Sequence, residues 1–233
     1  MLDNKIMNEL TLVIPAKKEK ESLPTVLEEL NKYNLKIIVV LEPTDIETIN
    51  SITNYNCKII YQKNQGYGDA LIEGINSVTT KYFSIFNADG SFNPIELKQM
   101  YEIIKDDKVK LVFASRYEDN CSSEDDNIIA YVGNFFFTKL GKILFGLKIT
   151  DILYTYVVGS TEIFKKLDIK NKDFTFCVEL PIKAHKKNYL LATTKSNERA
   201  RFGGKKKVNA FRDGLLILVS MLRLFFKRNN RIL

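Results

Sequence analysis

Apolar positions in the first half of the chain come in short unbroken runs, separated by stretches with helical spacing. Runs at residues 10–14 (Leu-Thr-Leu-Val-Ile), 36–41, 57–61, 83–86 and 109–114 predict five buried strands. Between them, residues 20–32, 45–53, 69–78 and 94–105 predict helices. Leu23, Val26, Leu27 and Leu30 fall on one side of the first helix, and Pro94 suits the first turn of the last. Apolar strands alternating with helices predict an α/β fold with a largely parallel sheet covered by helices. The second half is less regular. A mobile acidic loop is expected over 117–127, and an aromatic-rich amphipathic helix over 128–146. An aromatic segment and then a strand are expected over 151–164, a helix over 174–188, and a short strand over 190–194. A basic loop over 199–207 precedes a helix over 209–227 with a long apolar face.

The chain has 233 residues, 45% apolar and 27% charged, enough for one sizeable core. One domain is expected over 9–208, followed by a basic, apolar element over 209–233. The net charge of +7 is local: from Arg199 onward there are ten Lys or Arg against one acidic residue, Asp213. The rest is slightly acidic, which argues against nucleic acid and for an anionic surface or ligand near the carboxyl end. No run of 18 uninterrupted apolar residues predicts a span. Arg212, Asp213 and Arg223 interrupt the last helix, which is expected to lie on a bilayer or pack in a homo-oligomer; docking on its own core is the third alternative. Three unpaired Cys and no signal-peptide run point to a cytoplasmic protein, peripheral to the membrane. His185, between lysines, reads as part of a solvated helix face.

Consecutive parallel strands bring their following loops to one sheet edge, where open α/β sheets hold ligands. Pro15, Ala16 and Glu19 leave the first strand and Glu42 the second. Gly66 and Gly68 precede the third helix, and Asn87, Ala88 and Asp89 leave the fourth strand. Glu19 or Glu42 offers an acceptor to a nucleobase, and the glycines permit close backbone approach. Asp89 is the candidate ligand for Mg²⁺ or Mn²⁺ against a diphosphate, or else caps a turn of its own backbone. No Walker A sequence is present, and no G-x-G-x-x-G follows the first strand. Arg116, after the fifth strand, and Arg201 with Lys205, Lys206 and Lys207 offer positive charge for a donor diphosphate or an acceptor phosphate.

The ordered series Val13-Ile14-Pro15-Ala16-x-x-Glu19, Asn64-x-Gly66-x-Gly68-x-Ala70-x-x-x-Gly74, Asn87-Ala88-Asp89-Gly90 and Ser115-Arg116-Tyr117 closely resembles family 2 glycosyltransferases. Asp151, Glu179 and Arg201-x-x-Gly204-x-x-Lys207 continue the match, and within the family the polyprenyl-phosphate hexosyltransferase branch is the most similar. The resemblance implies a GT-A nucleotide-sugar fold, a divalent cation, and inverting transfer of a hexose from a UDP- or GDP-sugar. The acceptor it implies is a polyprenyl phosphate or related membrane-linked molecule, in cell-envelope synthesis. A saccharide acceptor in wall or capsule polymer synthesis is the first alternative, and a non-catalytic nucleotide-sugar binder the second. The family's paired Asp after strand two is Leu41-Glu42 here, its Asp-x-Asp is Asn87-x-Asp89, and its Thr-Ser-Gly-Phe-Arg segment is replaced by residues 152–156. A phosphate acceptor, largely ionised at neutral pH, attacks without a strong base. A hydroxyl acceptor needs one, for which Glu179 or Asp151 is the candidate; a structural ion pair is the alternative for Glu179.

Overall fold

The computed structural model describes residues 7–204 and 209–227. A seven-stranded sheet has the order β3-β2-β1-β4-β6-β5-β7. Its strands are β1 (Leu10–Ala16), β2 (Lys36–Leu41), β3 (Lys58–Tyr61), β4 (Tyr82–Ile85), β5 (Val109–Ser115), β6 (Val157–Ser160) and β7 (Leu190–Lys195). All run parallel except β6, which pairs antiparallel with both β4 and β5. The expected α/β sheet, largely parallel and flanked by helices, is therefore present, with the GT-A-like mixed topology. Six strands end on one edge, and the loops that leave them gather there.

Helices α1 (Leu23–Asn31), α2 (Ile46–Ser51), α3 (Tyr67–Asn76) and α4 (Glu96–Ile104) follow β1 to β4. The helix α5 (Ile128–Phe145) starts where the Asn127 side chain accepts from Ala130 N and stops at Gly146, whose φ of 74° favours glycine. The sequence pattern missed α6 (Thr161–Leu167): the strand expected over 151–164 is only four residues long. Ser160 then turns the chain into a helix by capping Ile163 N. The helices α7 (Phe176–Lys186) and α8 (Ala210–Phe226) complete the chain.

Strand alternation sends side chains to two cores. Leu12, Ile14, Val39 and Leu41 face α1 and α4, whereas Val13, Val40, Phe83 and Phe113 face the side covered by α3, α6 and α7. Ile217 and Met221 of α8 are buried in the second of these cores, so the carboxyl-terminal helix docks on the domain by one face. Phe145 of α5 meets Phe225 of α8 edge to face, with ring centroids 5.9 Å apart.

The α3 helix approaches the sheet at Gly74. A Cβ there would lie 2.4 Å from Val13 Cγ1 and 2.8 Å from Val40 Cγ2. Gly74→Val therefore overpacks the contact that sets α3, and with it the 62–68 loop, against β1 and β2. The expected loss is about 1–3 kcal/mol, read from urea unfolding; an unchanged midpoint would show that the contact has slack.

Candidate active site

A cavity of about 630 Å³ opens at the carboxyl edge of the sheet. One half is lined by strand ends: Pro15 and Ala16 of β1, Glu42 after β2, Gln62 after β3, and Asn87, Ala88 and Asp89 after β4. The other half is mainly apolar, walled by Gly133 and Phe137 of α5, by Leu153 and Phe174, and by Phe211 and Ile217 of α8, with Asn134, Asp173 and Asp213 among them.

Asp89 uses its two oxygens differently. Oδ1 accepts from Ser91 N at 3.0 Å and Ser91 Oγ at 2.7 Å, the turn-capping role. Oδ2 lies 3.2 Å from Arg201 Nη1 on the cavity side. The next residue, Gly90, has φ of 85°, and a Cβ there would lie 2.4 Å from the Phe202 ring. The Asp-Gly pair thus lets the 198–204 stretch close over the strand end, with Phe202 N donating to Asp89 O. Asn87 donates to Ser91 Oγ at 3.3 Å. Arg201 also forks onto Asp125, at 3.0 and 3.1 Å. Burial works against its charge, but Asp125 and Asp89 outweigh it and hold the guanidinium pKa above its usual value.

Arg116 lines the cavity but is largely buried, its guanidinium taken up by carboxylates. Nε and Nη2 grip Asp151 at 2.8 and 3.1 Å, while Nη1 reaches Asp126 and Glu198, each at 3.1 Å. Its plane lies over Tyr154, 4.4 Å from the ring centroid. Burial opposes the cation; Asp151 first, then Glu198 and Asp126, more than compensate and raise the Arg116 pKa. Burial pushes the Glu198 carboxyl up, with Arg116 and Ser123 pulling it back.

Neither proposed base lines the cavity. Asp151 is fully engaged by Arg116. Glu179 accepts from the backbone of Lys170 at 3.0 Å and Asn171 at 2.7 Å, and from Lys183 at 2.6 Å. It thereby fixes the 170–173 loop, whose Lys172 carbonyl accepts from Asp69 N at 2.9 Å. The close approach that Gly66 and Gly68 permit is to this loop: Cβ atoms there would lie 2.1 Å from Lys172 O and 2.4 Å from Asn171 O. Gly66 also lines the cavity. Glu42 sits at the cavity wall and pairs with Lys17 at 2.7 Å. Glu19, at the rim, accepts from Ser22 Oγ at 2.6 Å, and its own N–H donates to Thr48. Lys205, Lys206 and Lys207 lie outside the described residues.

Five cavity carboxylates were given no site role by the sequence analysis: Asp125, Asp126, Asp173, Glu198 and Asp213. The first two belong to the supposedly mobile acidic loop, which Arg116 and Arg201 tie down. Glu198 follows β7, and recognising β7 as parallel to β5 would have placed it beside Arg116. Asp173 closes the turn that precedes α7, accepting from Thr175 N at 2.9 Å and from Thr175 Oγ1.

Among the described residues, no group of three or more His, Cys, Asp or Glu gathers as a self-sufficient metal site. A cation carried on a diphosphate needs only one or two protein oxygens. Asp89 Oδ2, with Asn87 as a neutral neighbour, fits that demand.

Removing the Arg116 guanidinium strands three buried carboxylates. Arg116→Ala is expected to cost about 3–5 kcal/mol at neutral pH. Burial already pushes the Glu198 carboxyl up, and without the cation that pulls it back its folded-state pKa stands further above the unfolded one. The folded variant then binds more protons than the unfolded chain, and its stability falls as pH rises. The deficit against the parent should be smaller at pH 5 than at pH 7 in chemical denaturation; a pH-independent deficit would contradict the network.

Comparison with known proteins agrees with this geometry. Residues 11–168 match the family profile described as "Glycosyl transferase family 2". A protein of Methanocaldococcus jannaschii, described only as uncharacterized, is 25% identical over 186 residues, covering 77% of this chain and 76% of that one. An uncharacterized glycosyltransferase of Mycobacterium tuberculosis is 29% identical over 91 residues, 39% of this chain and 41% of its own. Among solved structures, glucosyl-3-phosphoglycerate synthase from Mycobacterium tuberculosis with Mn²⁺, UDP and glucosyl-3-phosphoglycerate superposes with a TM-score of 0.76 at 12% identity, covering 95% of this chain and 81% of that one. The same enzyme with Mg²⁺ and UDP gives 0.73 at 13% identity, covering 95% and 80%. These likenesses correct the expected branch: the structures of like fold are those of a phosphoglycerate glucosyltransferase, and the assignment to the polyprenyl-phosphate hexosyltransferases does not stand. The motifs that suggested that branch sit mostly on the strand-end half of the cavity, away from its apolar half, and do not distinguish acceptors. With its profile match spanning most of the sheet and its cavity at the strand ends, the chain belongs to glycosyl transferase family 2.

Proposed function

We propose that this chain is a metal-dependent, inverting transferase that moves a hexose from a UDP-sugar to an acceptor with an apolar tail, linked to a membrane. The division of the cavity carries the proposal. A polar half built from strand ends meets an apolar half between α5 and α8, with Asp89 on the polar side. The structures of like fold bound to UDP with Mn²⁺ or Mg²⁺ support the donor and the cation.

In this reading the nucleoside lies along Pro15, Ala16, Glu42 and Gln62, and the diphosphate faces Asp89. Asp89, assisted by Asn87, would hold Mg²⁺ or Mn²⁺, which supplies positive charge against the charge developing on the leaving diphosphate. A cation arriving at Asp89 Oδ2 would compete with Arg201 for that oxygen, and donor binding would then free the guanidinium to face the diphosphate. An acceptor oxygen forms the bond to the anomeric carbon as the bond to the diphosphate oxygen breaks, and the electron pair leaves with UDP. Asp151 and Glu179 act as positioning residues, the first through Arg116 and the second through the loop against Gly66 and Gly68.

A saccharide acceptor is the second reading, favoured by Asp173. This carboxylate lines the cavity beside Phe174 and is available as the base that a hydroxyl nucleophile needs.

Two variants separate the possibilities. Asp89→Asn, which keeps an oxygen to accept from Ser91 N and Oγ, should lower transfer by about a hundredfold or more, the scale of a lost electrostatic contact to the leaving group, while the chain stays folded. Unchanged turnover would reject the role. Asp173→Asn should spare transfer to phosphorylated lipid acceptors and abolish transfer to sugar hydroxyls. Assays with lipid phosphates, unphosphorylated lipids and oligosaccharides read which acceptor is used; donor binding without turnover on any of them would reject transferase function.

A further inference from the structure

The outer faces of α5 and α8 are apolar and unpartnered. On α5, Ile128, Val132 and Phe135 are 82%, 56% and 60% exposed and form one stripe; on α8, Phe211, Leu215 and Phe226 are 86%, 63% and 76% exposed and form another. An exposed surface of this kind marks a docking site. We propose that this two-helix face docks on an anionic lipid bilayer, with both helices lying in the plane of the interface.

Charge selects the occupant. The only charged side chains of α5 are Lys139 and Lys142, both exposed, and they continue its apolar stripe. On α8, Arg212 and Arg223 flank the apolar row, with Lys227 at its end. Asp213 is the one acid on either helix, and it accepts from Asn209 N at 2.7 Å. A second copy seated on this face would oppose its own cations with only Asp213, already accepting from Asn209 N, as an acidic counterpart on these helices. Anionic headgroups supply that counterpart.

Orientation follows from how the helices are held. By length and composition α5 is long and apolar enough to cross a membrane. Its inner face nevertheless clamps the protein: Asn134 Oδ1 accepts from Leu153 N at 3.0 Å and Thr138 Oγ1 from Ile152 N at 3.2 Å. On α8, Ile217 and Met221 are buried, and Ser220 accepts from Asn171 at 2.8 Å. Each helix keeps one face on the protein and offers the other outward, the arrangement of an interfacial helix rather than a span.

The apolar half of the cavity is walled by these same helices, through Gly133 and Phe137 on one and Gly214 and Ile217 on the other. Docking would therefore bring the acceptor end of the cavity to the bilayer. This last step rests on the proposed function; the docking itself does not.

Flotation of the full chain with vesicles tests the docking without donor or acceptor. Equimolar phosphatidylcholine–phosphatidylglycerol vesicles should carry the protein upward, with binding weakened by salt and by pure phosphatidylcholine. Phe135→Ser with Phe226→Ser should reduce binding about tenfold or more, consistent with losing two inserted aromatic side chains. Neither residue lines the cavity, so UDP binding should persist and report that the variant is folded. Arg212→Gln with Arg223→Gln should flatten the salt dependence. Equal binding by parent and Phe variant would overturn the proposal. So would failure of the parent to float, including where sedimentation shows a dimer that the Phe substitutions dissociate. Vesicle binding without any sugar transfer would leave the docking intact and reject the proposed function alone.

Discussion

One buried guanidinium sets the far wall of the cavity. Arg116 leaves the end of β5 and gathers Asp151 from the segment before β6, Asp126 from the loop before α5, and Glu198 from beyond β7. These carboxylates come from distant parts of the chain and would repel one another without the cation. Desolvation is costly for each charge, and the arrangement holds because the fork geometry satisfies several oxygens at once. Once Arg116 is fixed, the 120s loop and the 198–204 stretch lie side by side. Asp125 can then meet Arg201, and Arg201 can meet Asp89.

The result is an alternating chain of charge running from Asp151 through Arg116 to the 120s loop, and from Asp125 through Arg201 to Asp89. Its first part is buried and saturated. Its last part, at Asp89, opens to the cavity and holds a single ion pair of 3.2 Å that a diphosphate and its cation can rearrange. Rigidity and exchangeability are thus separated along one network, with the exchangeable end on the proposed donor.

Much of this was legible in the sequence because it depends on local pattern. Unbroken apolar runs ending in Pro15, Glu42 or Asn87-Ala88-Asp89 located the strands and the edge where they converge. Of the two readings of Asp89, the turn cap is present through Oδ1, and Oδ2, paired with Arg201, is the oxygen proposed for the cation. The long-range pairings were not legible. Arg116 offered positive charge in the sequence, but three carboxylates separated from it by up to 82 residues consume it. Glu179, in its apolar setting, resembled a tuned base; the ion-pair alternative holds, through its i,i+4 neighbour Lys183, and its other partners are the backbone N–H groups of Lys170 and Asn171, which no side-chain pattern displays. The glycines at 66 and 68 signalled close approach correctly, but the partner is the 171–173 backbone. The four-residue β6 was too short for α6 to be separated from it by periodicity.

The polar and apolar halves of the cavity together account for a donor at the strand ends and an acceptor between α5 and α8. A crystal structure of the full chain with UDP and Mn²⁺ tests this most directly. The account predicts diphosphate and metal at Asp89, the base along Pro15, Ala16 and Glu42, and Arg201 turned from Asp89 to the phosphates while the Arg116 cluster stays in place. Nucleotide bound elsewhere, with the Asp89–Arg201 pair intact, would contradict it.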